Sequence, residues 1–385
     1  MNLLLFNLAT DADDPILGFT TAWINRLAPH YERVDVITMR VGRVAVAPNV
    51  CVLSVGKERG FSEARRALEF YRLLIHLLSQ RRYDACFAHM MPLFALMGAP
   101  FLRLYRVPIT LWYTHRQRHR TLEWATRVSR RVVTAAPDSF PIPTRKLRVL
   151  GHGIDTDFFK DRTEDEKRTE VKGLRTEKNK EILSSSHIEM SPLLSPLTSV
   201  LSPLFYVVHV ARLMPIKHQA TLIRALPAVP SAHAVFVGDV PPEQGADYRR
   251  ELETLARDLG VADRVTFAGS QSAEGVRDWY QRAAAAVNLS PVGLFDKAAL
   301  EAMASGVPTL VSNPAFDSLL GDSRWRIDSP DDHAGLAACL ASVLALDPTE
   351  RARLTADIRA RMVESHSLDG LIRRLIQVLH TGESV

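Results

Sequence analysis

Strand-type and helix-type segments alternate along this chain in two separate trains, and each train calls for a parallel sheet covered by helices on both faces. The first predicts strands at 3–7, 34–38, 50–55, 84–88, 109–113 and 131–134, with helices at 16–27 and 62–80. It closes at Leu147-Arg-Val-Leu-Gly-His-Gly-Ile154, a strand running into a glycine-bracketed loop. The second predicts strands at 205–210, 234–237, 265–268, 285–289 and 308–311, helices at 246–259 and 272–283, and a helical tail over 348–379. Between them, 161–203 is first dense in charge of both signs, then rich in Ser, Pro and Leu. Neither part has a period that buries a core, so it reads as a linker or insertion; a charged helix over 164–183 is the competing reading. The expected organisation is an N-terminal α/β domain at 1–160, that interval, a second α/β domain at 204–365, and a last helix at 366–385.

With 385 residues and 46% hydrophobic content the chain can bury two cores. Its net charge of +5 suits an anionic partner, whether nucleotide, phospholipid surface or nucleic acid. No base-reading module is recognisable, so nucleic acid is not an expected partner. The three cysteines, Cys51, Cys86 and Cys339, have neither metal-site nor disulfide spacing, which points to a reducing, cytoplasmic setting. Met1 to Phe6 reads as a buried strand, since it lacks the basic start and length of a signal segment. The longest apolar run, near 93–108, is interrupted by Pro100, Arg103 and Arg106 and does not read as a membrane span.

The richest chemistry lies in Ser290-Pro-Val-Gly-Leu-Phe-Asp-Lys-Ala-Ala-Leu-Glu301-Ala-Met-Ala-Ser-Gly-Val-Pro308, read as strand, turn, helix and strand. Glu301 is an acid on an otherwise Ala/Leu/Met helix face, and an unpaired buried carboxylate costs several kcal/mol. It could cap a local hydrogen-bond network, or accept hydrogen bonds from the two hydroxyls of a ribose. The helix start at Phe295, Asp296 and Lys297 offers backbone N–H groups and a positive dipole end to a diphosphate. A second segment, Val210-Ala-Arg212-Leu-Met-Pro-Ile-Lys217-His, puts two cations at a strand's carboxyl end, where open α/β sheets bind ligands. They could equally be a solvated basic pair. Gly238, in Val237-Gly-Asp239, Gly269 and Gly18 follow strands at turns; a glycine at 18 could let the backbone approach a ligand.

These segments resemble the donor site of the retaining glycosyltransferases of family four, in which two Rossmann-like domains face each other across a cleft, the GT-B fold. In that family two glutamates eight positions apart serve the donor: the second contacts the nucleotide ribose, the first lies against the sugar and its phosphates. Glu301 matches the second; Gly293 stands at the first. The resemblance further implies that Arg212 and Lys217 hold the donor diphosphate, that His115 lines the sugar pocket, and that Gly238 lies beneath the nucleobase and Gly18 near the diphosphate. His89 is a weaker candidate than His115; His152 and Asp155 match the segment entering the interdomain linker, with Asp155 read as a structural cap. Asp296 or Lys297 would take over contacts left by the missing glutamate.

The resemblance thus implies a retaining enzyme moving a sugar from a nucleoside-diphosphate sugar, its co-substrate, to a hydroxyl of a saccharide or glycolipid acceptor. No other cofactor is implied. A non-catalytic relative that binds nucleotide or a partner glycosyltransferase is the alternative, and a nicotinamide dehydrogenase is disfavoured by the lack of a G-x-G-x-x-G turn. The acidic triplets Asp11-Ala-Asp13 and Asp155-Thr-Asp157 are not expected to hold metal, because Arg212, Lys217 and a helix start already neutralise a diphosphate. Basic residues from His115 to Arg131 form a patch, read as a solvated helix face or a contact with the anionic inner leaflet.

Overall fold

The computed structural model describes residues 1–14, 17–160, 205–241 and 247–381. The interval read as a linker or charged helix lies outside the described residues, as does the predicted helix start at Ala246. The first sheet contains β1 (Asn2–Thr10), β2 (Arg33–Val41), β3 (Val50–Ser54), β4 (Ala85–His89), β5 (Ile109–Trp112), β6 (Arg131–Thr134) and β7 (Leu147–Val149). All pair in parallel, in the order β3-β2-β1-β4-β5-β6-β7. The second contains β8 (Phe205–Val210), β9 (Ala232–Val237), β10 (Val265–Gly269), β11 (Ala285–Asn288) and β12 (Thr309–Val311), also parallel, in the order β10-β9-β8-β11-β12. Two Rossmann-like sheets covered on both faces are the GT-B architecture that the resemblance implied.

Burial explains why the strands read as continuous apolar runs. Leu4 and Phe6 of β1 enter one core with Phe70, Leu74 and Phe94, while Leu3 and Leu5 face the other way, onto Trp23, Ile24 and Leu27. A strand apolar on both sides has no solvent face on which to place polar residues. The second domain has its own core around Val208, Phe236, Leu300 and Leu310.

The tail, read as helical over 348–379 with a last helix from 366, is helical along its length but for one break. It is two helices, Pro348–His366 and Leu368–His380, broken at Ser367, whose backbone is extended and whose hydroxyl accepts from Gly370 N to cap the second. The last helix lays Leu371, Ile372 and Leu375 against the first domain's Leu3 and Trp23. The chain therefore crosses between domains twice, side by side: Ile154 N donates to His366 O at 2.9 Å and Leu368 N to Ile154 O at 2.8 Å. Gly151 is required at this crossing; its φ is +78°, and a Cβ would stand 2.4 Å from Ser365 O. The first predicted helix begins at Phe19 (Phe19–Leu27), and the apolar run near 93–108 contains the helix Pro92–Leu104, with Pro100 inside it. Among the described residues no helix is long and apolar enough to cross a membrane.

Candidate active site

The strand order of the second sheet reverses between β8 and β11, and such a switch point opens a crevice at the strands' carboxyl ends. The loop after β8 carries Arg212 and Lys217; the loop after β11 carries Ser290 to Asp296 and leads into the helix Lys297–Ala304. Residues separated by most of a domain in sequence therefore meet in one place.

Lys217 Nζ lies 2.5 Å from Asp296 Oδ2 and 3.0 Å from Ser290 Oγ. The same Asp296 oxygen accepts from Ser290 Oγ, and from Asn288 Nδ2 at 3.2 Å. Ser290 and Asn288 were not singled out from the sequence, although a polar pair closing an apolar strand is a signal that could have marked them. Lys217 is thus tied down by a carboxylate, where the resemblance had it facing phosphate alone. Asp296 occupies the N-cap position of the helix yet makes no side-chain cap, because its carboxylate is turned to Lys217. The first-turn N–H groups keep no side-chain acceptor, which leaves the positive helix end available to an anion.

One turn into this helix stands Glu301, half-buried, its carboxylate without a hydrogen bond or ion pair among the described residues. Burial pushes its carboxyl above the ordinary glutamate range, and Lys297, one turn earlier, partly offsets this. Lys297 in turn is held below the usual lysine range by burial. Its Nζ sits 3.2 Å from the centre of the Phe19 ring in the first domain, a cation–π contact across the cleft. Arg212 is exposed, and its guanidinium has no acidic partner among the described residues; its carbonyl accepts from Gln219 Nε2. His218 takes a left-handed conformation with φ +54°, one that glycine adopts without strain.

Other candidates take supporting places. Phe295 does not present its ring to the cleft: it packs against Phe316 and His152, at 4.4 and 5.5 Å between ring centres, and its carbonyl accepts from His152 Nε2 at 2.9 Å. Gly18 has φ −55°, and a Cβ there would meet Asp14 O at 2.6 Å, so the packing of its own loop calls for a glycine. Gly238, at φ +135°, lies so close to Ala211 O that a Cβ would be 2.1 Å away; it shapes the wall beside Arg212. His89 is buried, bonded to Asn7 Oδ1 at 3.2 Å and packed on Trp23 and Trp112; burial lowers its pKa to about 3. Asp155 Oδ1 accepts from Phe158 N at 3.1 Å, a cap. Asp13 pairs with Arg43, whose backbone N–H is held by Asp11, and no cluster of metal-ligating side chains occurs among the described residues.

His115 is exposed on the loop after β5, its Nδ1 accepting from Gln117 N at 3.0 Å. Its neighbour Arg116 reaches across the cleft and donates from Nη1 to Val292 O at 2.7 Å. The loop containing His115 is therefore joined to the loop that precedes the Glu301 helix.

The fold defines a protein of the GT-B class, with the candidate site on its second domain. Residues 205–345 match the family model for glycosyl transferases group 1. A D-inositol 3-phosphate glycosyltransferase of Mycolicibacterium gilvum is 31% identical over 170 residues, covering 43% of this chain and 38% of that protein. The lipopolysaccharide core biosynthesis glycosyltransferase LpsD of Rhizobium meliloti is 31% identical over 176 residues, covering 44% and 48%. The chain spans less than half the length of these curated relatives. The crystal structure of Anabaena HepE in complex with UDP and glucose shares the fold, with a TM-score of 0.70 and 18% identity over 98% of this chain and 99% of that one.

Proposed function

We propose that this protein is a retaining glycosyltransferase that works without a metal ion and moves a sugar from a nucleoside-diphosphate sugar to a hydroxyl of a saccharide or glycolipid. One observation carries the reading: Glu301 offers a carboxylate that has no hydrogen bond or ion pair among the described residues, one turn inside a helix whose N-terminal N–H groups have no side-chain cap. Ribose hydroxyls on Glu301 place the diphosphate at the helix start, beside Lys297 and within the basic loop of Arg212 and Lys217. As the bond from sugar to phosphate breaks towards an oxocarbenium-like state, charge develops on the departing diphosphate, and these groups stabilise it where it forms. In the front-face route of the family, the leaving phosphate takes the acceptor proton, so no protein base is required.

The complex of HepE with UDP and glucose supports a nucleotide-sugar donor, and the lipopolysaccharide-core relative supports a glycolipid setting. Exposed Arg120, Arg127 and Trp124, with Arg127 stacked on the Trp124 ring at 4.5 Å, are compatible with contact at an anionic inner leaflet. Titration of the protein with UDP, GDP and ADP tests the site: one nucleotide binds, and Glu301→Ala weakens it. Binding of none overturns the reading.

A second reading, a non-catalytic nucleotide binder, is favoured by the pairing of Lys217 with Asp296 and by the absence of a carboxylate at Gly293. Donor hydrolysis or transfer that is lost in Lys217→Ala excludes it.

A further inference from the structure

Gly293 is not an empty position. With φ +86°, a Cβ built there would lie 2.6 Å from Cδ, Nε and Cζ of Arg116, so the arginine occupies the space into which a side chain at 293 would project. Arg116 comes from the opposite domain, spends one N–H on Val292 O, and has no carboxylate partner among the described residues. An arginine has five N–H donors, so most of its fork stays available.

The placement of a donor follows from the helix. Glu301 and Lys297 are four residues apart in the helix, about 6 Å of axial rise, and Gly293 lies in the loop just before its N-cap Asp296. A nucleoside-diphosphate sugar with its ribose on Glu301 and its diphosphate at the helix start extends its sugar towards the Pro291–Leu294 loop. There the charged side chain laid over the backbone is Arg116. A carboxylate at 293 would repel an anionic sugar; a glycine overlaid by a guanidinium attracts one, and specificity arises from both changes together.

We infer that Arg116 is a specificity-determining residue for a donor whose sugar carries a carboxylate, a uronic acid. This rests on the donor site proposed above. Guanidinium and carboxylate match in a planar, bidentate way that a neutral hydroxymethyl group cannot reproduce.

The test is titration of the full chain with matched donors that differ only at the sugar: UDP-glucose and UDP-glucuronate, GDP-mannose and GDP-mannuronate, ADP-glucose and ADP-glucuronate. UDP, GDP and ADP alone are titrated first. The uronate of the preferred base binds about tenfold tighter than its neutral partner, the factor that one charge-assisted hydrogen bond supplies. Arg116→Gln collapses that ratio to near unity, whereas Arg116→Lys retains part of it. Equal or tighter binding of the neutral sugar, with the nucleotide alone still bound, overturns the inference and leaves the donor site standing. A uronate preference that persists in Arg116→Gln assigns the carboxylate to another residue and equally overturns it. If none of UDP, GDP and ADP binds, the donor site and the inference fall together.

Discussion

Lys217 and Asp296 are held 2.5 Å apart across the crevice between the ends of β8 and β11, their side chains only 13% and 22% exposed. The lysine is therefore positioned before any ligand arrives, and Asp296 is kept from capping its own helix. Removing the cation leaves a mostly buried carboxylate whose remaining partners among the described residues are Ser290 and Asn288.

Lys217→Ala is accordingly expected to destabilise the protein by about 1–3 kcal/mol in denaturant titrations, the cost of a charge-assisted bond left half-made. Lys217→Ala combined with Asp296→Ala is expected to cost less than the sum of the single changes. Strict additivity would mean that the pair is not coupled.

Glu301 must be ionised to accept both hydroxyls of a ribose, and burial raises its pKa above that of an ordinary glutamate. Affinity for a nucleoside-diphosphate sugar should therefore rise as pH rises through this elevated value, and fall under mildly acidic conditions. The diphosphate of such a sugar has no proton titrating in that range, so the slope reports on the protein. In Glu301→Gln the affinity is low and this pH dependence is absent. The same shift acts on folding with the opposite sign: the folded state holds its proton longer than the unfolded chain, so stability declines as pH rises from the ordinary glutamate value through the elevated one. Calorimetric titrations and melting curves between pH 4 and pH 8 separate the two effects.

The parallel sheets were legible because strands buried on both faces must be apolar throughout, as Leu3 to Phe6 are. That Arg212, Lys217 and Glu301 lie at strand ends or one turn into a helix was legible, because local pattern marks such positions. What each charge faces was not. The Lys217–Asp296 bond joins residues 79 apart, and the Arg116–Val292 bond joins residues 176 apart across two domains. Such contacts depend on strand order and domain arrangement, which no local period encodes. At Ser367 a local signal was present, because Ser365-His-Ser-Leu-Asp-Gly370 is poor in helix formers and offers a serine cap.

His89, His152 and His209 are buried, and burial holds each pKa near 3, so all three are neutral in the folded protein. Unfolded, each takes up a proton near pH 6.5. Their depressed values therefore contribute stability that is present above pH 6.5 and lost as pH falls towards 3. Each can steepen the acid loss by up to about 1.4 kcal/mol per pH unit. His152→Gln should be less stable at pH 7, because the bond to Phe295 O is disturbed, yet lose stability less steeply between pH 6.5 and 5. A slope equal to that of the parent would mean that His152 is not neutral when folded.

Gly238 tests how the wall beside Arg212 is made. Its φ of +135° is a conformation that other residues adopt only under strain, and a Cβ would press 2.1 Å from Ala211 O, the residue that precedes Arg212. That oxygen belongs to the backbone leaving β8, and Gly238 N is itself tied to Gly269 O at 2.8 Å, so neither side can yield cheaply. Strain of this kind costs on the order of 1–3 kcal/mol before any collision is counted. Gly238→Ala is expected to lower stability by at least about 2 kcal/mol and to weaken nucleotide binding by shifting the Arg212 loop. Gly260 supplies the control: it has φ +66°, and a Cβ there would meet nothing within 4 Å. Gly260→Ala should pay the conformational cost alone and leave nucleotide affinity unaltered. If both variants lose stability equally and bind alike, close packing at Gly238 has no part in shaping the crevice.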